Sequence, residues 1–298
     1  MDYQSHTLPN GIRILHVPSS SNISHACILV NAGSRDEETG KDGLAHFIEH
    51  LLFKRTKKRN TNQILNRLEL VGADLNAYTT KEYTCVHASF LNAYLERALD
   101  LFEDLVFHSV FPLDEMAKEK EVILDEIASY QDQPDEAIND DFEDLLFEGH
   151  PLGRNILGTP ESVKNMERED IFHFMDANYR TDEIIVAISG DYPLKKIIGL
   201  ATKLFGQIPA HTPARKRSHL NEPSIQNKSL NKPINQTHGV IGCRSYSVHE
   251  PEKIGFLLLN NILGGTGMSS RLNLEIREKH GIAYTIESNY TPFSDTGI

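Results

Sequence analysis

The stretch GLAHFIEHLLFK, residues 43–54, holds His46, Glu49 and His50 in the order H-x-x-E-H. From about residue 42 to residue 53 the apolar side chains recur at helical spacing, which predicts an amphipathic helix. On a helix, positions i and i+4 stack on one face about one turn apart, so His46 and His50 can offer both imidazoles to a single ion. Glu49 lies beside both, where a hydrolase needs a base next to a metal-bound water. A catalytic zinc takes three protein ligands, so a third donor has to come from elsewhere. AKEKEVILDEIASY, residues 117–130, offers Glu119 and Glu126, seven residues apart and on one helical face, with Val122, Ile123 and Ile127 as packing positions. One carboxylate can bind the ion while the other fixes a histidine.

The rest of the chain limits what can surround this pattern. With 298 residues, 39% hydrophobic and 24% charged, it can bury a real core, and its length favours two domains. A formal net charge of −12 argues against nucleic acid as the main partner, because phosphate binding needs a basic footprint. The one basic cluster, KRTKKR from Lys54 to Arg59, reads as a solvated loop after a helix. Between Asp114 and Glu148 fourteen acids face two lysines, the pattern of solvated helix faces; lining a cavity, they would favour basic substrates. Cys27, Cys85 and Cys243 are odd in number and widely spaced, and read as buried small hydrophobes. His25, His87 and His108 fall outside the motif and read as structural. No phosphate loop is present, and GGTG at 264–267 reads as a helix C-cap and turn. The opening MDYQSHTLPNG lacks the features of a signal peptide, and no apolar run approaches the ~18 residues of a membrane span. The expected location is the cytoplasm, or the periplasm if a leader was removed, with no membrane partner.

Along the chain, IRILHVPSS and HACILVNAG predict an opening pair of strands. TNQILNRLELVGA predicts a second helix, with Thr61 or Asn62 as N-cap and Gly72 as its stop. LNAYTTKEYTCVHASF predicts a hairpin turning near Thr80 to Glu82. Residues 92–148 predict a long helical stretch punctuated at Pro112 and Pro134, and EIIVAISG a buried strand near 183–190. Residues 207–229, polar and without apolar periodicity, predict a linker. The chain then divides into a first domain at 1–206 and the start of a second at 230–298. In the latter, HGVIGCRSY and IAYTIESNYTPFSDTGI predict strands, and KIGFLLLNNILGG and SSRLNLEIREKHG helices. Ending on an apolar strand residue implies that this second domain is incomplete. Strands mixed with runs of consecutive helices favour an α+β architecture with a mainly antiparallel sheet.

GLAHFIEHLLFK, GADLNAYTTKEYTCVHA, EKEVILDEI and GGTGMSSRLNLEIREKHGIAY together resemble the motifs of the insulinase/pitrilysin zinc peptidases, the inverzincins. The resemblance is in particular to shorter bacterial members related to the mitochondrial processing peptidase, and it runs over essentially the whole chain. It implies that His46, His50 and Glu126 bind one Zn2+ per chain, that Glu49 is the general base, and that Glu119 supports the site from behind. It implies that Arg277 and Tyr284 hold the substrate carbonyl, and that Asn76, Ala77 and Tyr78 pair with the backbone of an extended peptide. The implied architecture is two homologous α+β domains, the second incomplete here, closing on unfolded peptides or oligopeptides and in some cases pairing with a second copy or a related subunit. The implied activity is that of a zinc-dependent endopeptidase. Arg55 and His280 depart from the family pattern without touching a ligand. The alternative within the same fold is a non-catalytic structural or regulatory subunit, whose mark would be a broken H-x-x-E-H or a missing Glu126. A zinc hydrolase of non-peptide substrates is a further rival, which would cleave small esters or amides.

Overall fold

The computed structural model describes residues 2–222 and 225–298, in two compact units that part between Leu220 and Asn221. In the first unit, six strands, β1 (Gln4–Thr7), β2 (Arg13–Pro18), β3 (Ile23–Val30), β4 (Asp74–Thr79), β5 (Thr84–Leu91) and β6 (Ile184–Gly190), form one sheet in the order β1-β2-β6-β3-β5-β4. Only β2 and β6 pair in parallel; every other neighbouring pair is antiparallel. The protein is α+β with a mainly antiparallel sheet, as its pattern predicted.

Alternation along the strands gives the sheet two unlike faces. Ser24, Ala26, Ile28 and Val30 of β3 are buried, while His25, Cys27 and Leu29 between them are not. The sheet's buried face meets helices α1 (Leu44–Leu52), α2 (Thr61–Glu69), α3 (Leu95–His108) and α8 (Leu194–Phe205), while α4 (Leu113–Gln131) and α7 (Arg168–Asn178) pack on α1, and α5 (Pro134–Leu146) and α6 (Pro160–Lys164) on α4. Phe47, Ile48 and Leu51 of α1, Phe102 of α3 and Phe205 of α8 are fully buried there, each burial contributing about 1.5–3 kcal/mol. On the open face a trough of about 470 Å3 runs past Leu15, Val17, Cys27, His87 and Ala187. His25 bonds Ser89 Oγ at 2.8 Å across this face, and His108 bonds Glu103 at 2.6 Å.

Several local expectations are corrected by the fold. The N-cap of α2 is Asn60, not Thr61 or Asn62. Asn60 is extended and exchanges two 3.0 Å bonds with Gln63, closing a capping box, while the Thr61 hydroxyl donates to the Lys54 carbonyl. The basic cluster is not simply solvated: Lys58 pairs with Glu103 at 2.9 Å, and Arg59 with Asp100 and Asp104, all on α3. Residues 207–220 belong to the first unit rather than to a linker, because Arg217 bonds Asp36 at 2.9 Å and Arg215 pairs with Glu183. Cys243 is exposed, and Val122 projects outward from α4.

The start of α1 is fixed by a close backbone crossing. Gly43 and Gly158 have φ of 91° and 78°, and a Cβ on Gly158 would lie 2.1 Å from the Asp42 carbonyl oxygen. Gly158→Ala is therefore expected to lower stability by about 1–3 kcal/mol, read as an earlier urea midpoint; a wild-type midpoint would contradict the crossing.

In the second unit, α9 (Lys253–Gly264) and a π-helical segment, Asn273–Lys279, match the two predicted helices. The predicted strands do not form. Among the described residues of this unit only the isolated bridges Ser245↔Gly297 and Pro292↔Gly297 appear. Strand propensity needs a neighbouring backbone, and here Tyr246, Phe256 and Tyr290 pack edge to face instead, with ring centroids 5.7 and 5.1 Å apart. Among the described residues no helix is long and apolar enough to cross a membrane.

Candidate metal centre

The site begins with α1, whose apolar stripe faces the core and leaves His46, Glu49 and His50 on its other side. The helix starts where Glu37, 4% exposed, accepts from the Gly43 amide at 2.9 Å and the Ala45 amide at 2.8 Å. Burial raises the Glu37 carboxyl well above its ordinary range, and the two amides oppose that rise. Sequence reading missed this cap, because Glu37 lies seven residues before the helix and only the fold brings it there.

The imidazoles of His46 and His50 meet edge to face, their ring centroids 4.6 Å apart. α4 packs beside α1 and brings Glu126 to both: its Oε2 is 3.8 Å from His46 Nε2 and 3.8 Å from His50 Nε2. These three donor atoms lie within 4.8 Å of one another, the one such group of metal-ligating atoms among the described residues. Bonds of about 2.0–2.2 Å to a tetrahedral zinc put donors about 3.4 Å apart, so the two Glu126 separations of 3.8 Å would close by about 0.4 Å around the ion, and the three donors already lie within 4.8 Å of one another. Two neutral imidazoles and one carboxylate are also the donor chemistry zinc accepts. His46 is suited to that role, since burial first and then the neighbouring His50 lower its pKa to about 4. At neutral pH its ring is uncharged.

Glu119 stands one layer back. Its Oε2 accepts from His50 Nδ1 at 3.2 Å, and its Oε1 is 2.6 Å from Lys54 Nζ. Of the two candidate acids on α4, Glu126 is 44% exposed at the side chain and faces the donor group, whereas Glu119 is 8% exposed and faces the back of a histidine.

Glu49 is not one of the three donors. Burial raises its pKa, opposed by hydrogen bonds to the Thr79 side chain and backbone and by His50, with Glu126 adding to the rise. The Tyr179 hydroxyl is pushed upward by its own burial and by the charge of Glu49, which places this tyrosine near the acid. Sequence reading did not single out Thr79 or Tyr179.

Thr79 ends β4, an edge strand paired only with β5. Asn76, Ala77 and Tyr78 lie along it. The Ala77 amide donates to Asn76 Oδ1 at 2.8 Å, and the half-exposed Tyr78 ring lies 5.8 Å from His87 and 6.0 Å from Tyr83. In the second unit, the Arg277 guanidinium sits 5.0 Å from the centre of the Tyr284 ring, and Tyr284 is 85% exposed.

Residues 13–160 match the insulinase family, peptidase family M16, and residues 165–298 match the family's inactive domain. The second match starts inside the first unit, since it includes β6, a strand in the middle of the sheet. An uncharacterized zinc protease of Mycobacterium leprae is 36% identical over 98% of this chain and 66% of its own length. The uncharacterized zinc protease YmxG of Bacillus subtilis is 32% identical over 98% of this chain and 71% of its own. The chain thus spans about two thirds of the length of these relatives. In fold it is similar to a peptidase M16 inactive domain structure from Pseudomonas fluorescens (TM-score 0.86, 21% identity, 100% of this chain and 73% of that one). It is also similar to a protease from Helicobacter pylori (TM-score 0.84, 23% identity, 99% and 73%). With both family matches in chain order and relatives above 30% identity over nearly its whole length, the chain belongs to the insulinase family of peptidases.

Proposed function

We propose that this chain carries the zinc-binding active site of an endopeptidase that hydrolyses unstructured peptides, with His46, His50 and Glu126 as ligands and Glu49 as general base. The observation that carries the reading is the convergence of three donor atoms beside a second, half-buried acid, Glu49, bonded to Thr79 at the end of an edge strand. Zinc held there supplies a Lewis acid for the scissile carbonyl and lowers the pKa of its water toward ~7. Glu49 takes the proton of the attacking water on its carboxylate and passes it to the leaving amine, a task to which an acid with a raised pKa is suited. The free edge of β4 offers its backbone to an extended chain, so Asn76, Ala77 and Tyr78 bind substrate by strand addition. Folded proteins keep their strand edges paired or covered and are poor partners for such an edge. For Arg277 and Tyr284 the support is the family resemblance alone, which assigns them, as a cation and a phenol, to the developing oxyanion.

The non-catalytic reading is disfavoured because the inactive-domain match begins at residue 165, leaving every proposed ligand and the base inside the 13–160 peptidase match. Action in the cytoplasm and pairing with a second subunit belong to the same proposal. The substrate class is tested with one protein offered in two forms, disulfide-locked and reduced and carboxymethylated. Cleavage of the unfolded form alone is expected. Equal cleavage of both forms, or hydrolysis confined to small esters, would overturn the substrate assignment.

A further inference from the structure

Lys54 opens the basic run that follows α1, and it behaves unlike its neighbours. Lys58 and Arg59 pair with acids of α3. Lys54 instead reaches α4, where its Nζ lies 2.6 Å from Glu119 Oε1. Its backbone is held at both ends, the amide donating to the Leu51 carbonyl at 3.1 Å and the carbonyl accepting from Thr61 Oγ1 at 2.5 Å. The other oxygen of Glu119 accepts from His50 Nδ1 at 3.2 Å.

We propose that Lys54 is a positioning residue of the metal centre, acting through Glu119 to fix the tautomer and orientation of His50. A carboxylate only accepts hydrogen bonds, so Lys54 Nζ and His50 Nδ1 are both donors and the two oxygens of Glu119 are divided between them. With its proton on Nδ1, His50 turns the lone pair of Nε2 toward His46 Nε2 and Glu126. Glu119 could otherwise rotate about its last bond and leave the histidine. Its first oxygen is held by a charge-assisted bond, and the carboxylate, 8% exposed at the side chain, has little water to replace that partner. A fully exposed ion pair of the same length would do little. Burial is what makes this one a brace. Partners behind a metal-bound histidine change metal affinity about 10–100-fold when removed.

The inference rests on the zinc reading of His46, His50 and Glu126, and its test needs no peptide cleavage. Zinc would be titrated against a fluorescent chelator in the wild type, Lys54→Met, Lys54→Gln, Lys54→Arg, Glu119→Gln and the Lys54→Met/Glu119→Gln pair. Imidazole 15N shifts of the metal-free proteins would report the His50 tautomer. We expect Lys54→Met and Lys54→Gln to bind zinc about 10–100-fold more weakly, Lys54→Arg to recover most of that loss, and the double variant to be no weaker than Glu119→Gln alone. The Nδ1–H population of His50 should fall in Lys54→Met. Wild-type zinc affinity in Lys54→Met and Lys54→Gln, a loss that adds to that of Glu119→Gln, or an unchanged tautomer would overturn the proposal. If the wild type bound no zinc, the reading of the site would fail, and the tautomer would still decide whether Lys54 holds His50 through Glu119.

Discussion

Glu49→Gln is expected to keep its zinc and lose about 10²–10⁴-fold in peptide turnover, the range that a positioned acid–base group contributes. The substitution changes one oxygen to an NH2 and hardly alters volume. The three donors, His46, His50 and Glu126, are untouched, so zinc content should stay at the wild-type value. The bonds Glu49 accepts from Thr79 can persist to the remaining amide oxygen, which holds the side chain in place. What disappears is a site for the proton. The check is turnover of a fluorogenic peptide together with metal analysis on the same sample. Retained turnover would remove Glu49 as the base, and lost zinc would mean that it belongs to the ligand set.

His50→Ala is expected to have the opposite signature, losing zinc and turnover together. Zinc takes three protein ligands in such a site, and two donors hold it far less well. Alanine also removes the Nδ1–H that Glu119 accepts, so both faces of the ring are lost at once. The fold should survive. The core of α1 is made by Phe47, Ile48, Leu51 and Leu52, and none of these packing groups is altered. Metal analysis alongside circular dichroism separates the outcomes: an empty, helical protein is expected, and a zinc-loaded His50→Ala would show that the histidine is not a ligand. Because the His46 pKa is lowered to about 4, protonation of this ligand withdraws it from zinc only as pH falls toward that value, and neutral pH leaves it free to bind.

Much of this site could be read before any coordinates. His46, Glu49 and His50 follow from one helical period, and α1 forms where that period predicts it. Glu119 and Glu126 could be put on one face of a helix, but periodicity could not say which acid reaches the Nε2 atoms of His46 and His50. That choice depends on how α4 lies against α1, and only the family resemblance supplied it in advance. Glu37 and Thr79 were illegible for a related reason. Each acts through contacts made by the fold, and a lone acid or threonine has no pattern of its own. The run from Lys54 to Arg59 looked solvated because its acid partners on α3 and α4 are distant in sequence. Arg215 and Arg217 likewise fall in a stretch whose polarity predicts a linker, although acids of the first unit hold them. In the second unit, helical periodicity at 253–264 was sufficient, since a helix closes its own hydrogen bonds. The strand-like segments around it were not, since a strand needs another backbone to complete it.

The most direct test of the central claim is zinc content measured on the wild-type protein together with hydrolysis of an unstructured fluorogenic peptide, with and without a chelator. The account predicts about one zinc per chain, cleavage abolished by the chelator, and recovery when zinc is restored. A protein that purifies and reconstitutes without zinc, or that cleaves the peptide equally well after the metal has been stripped, would contradict it.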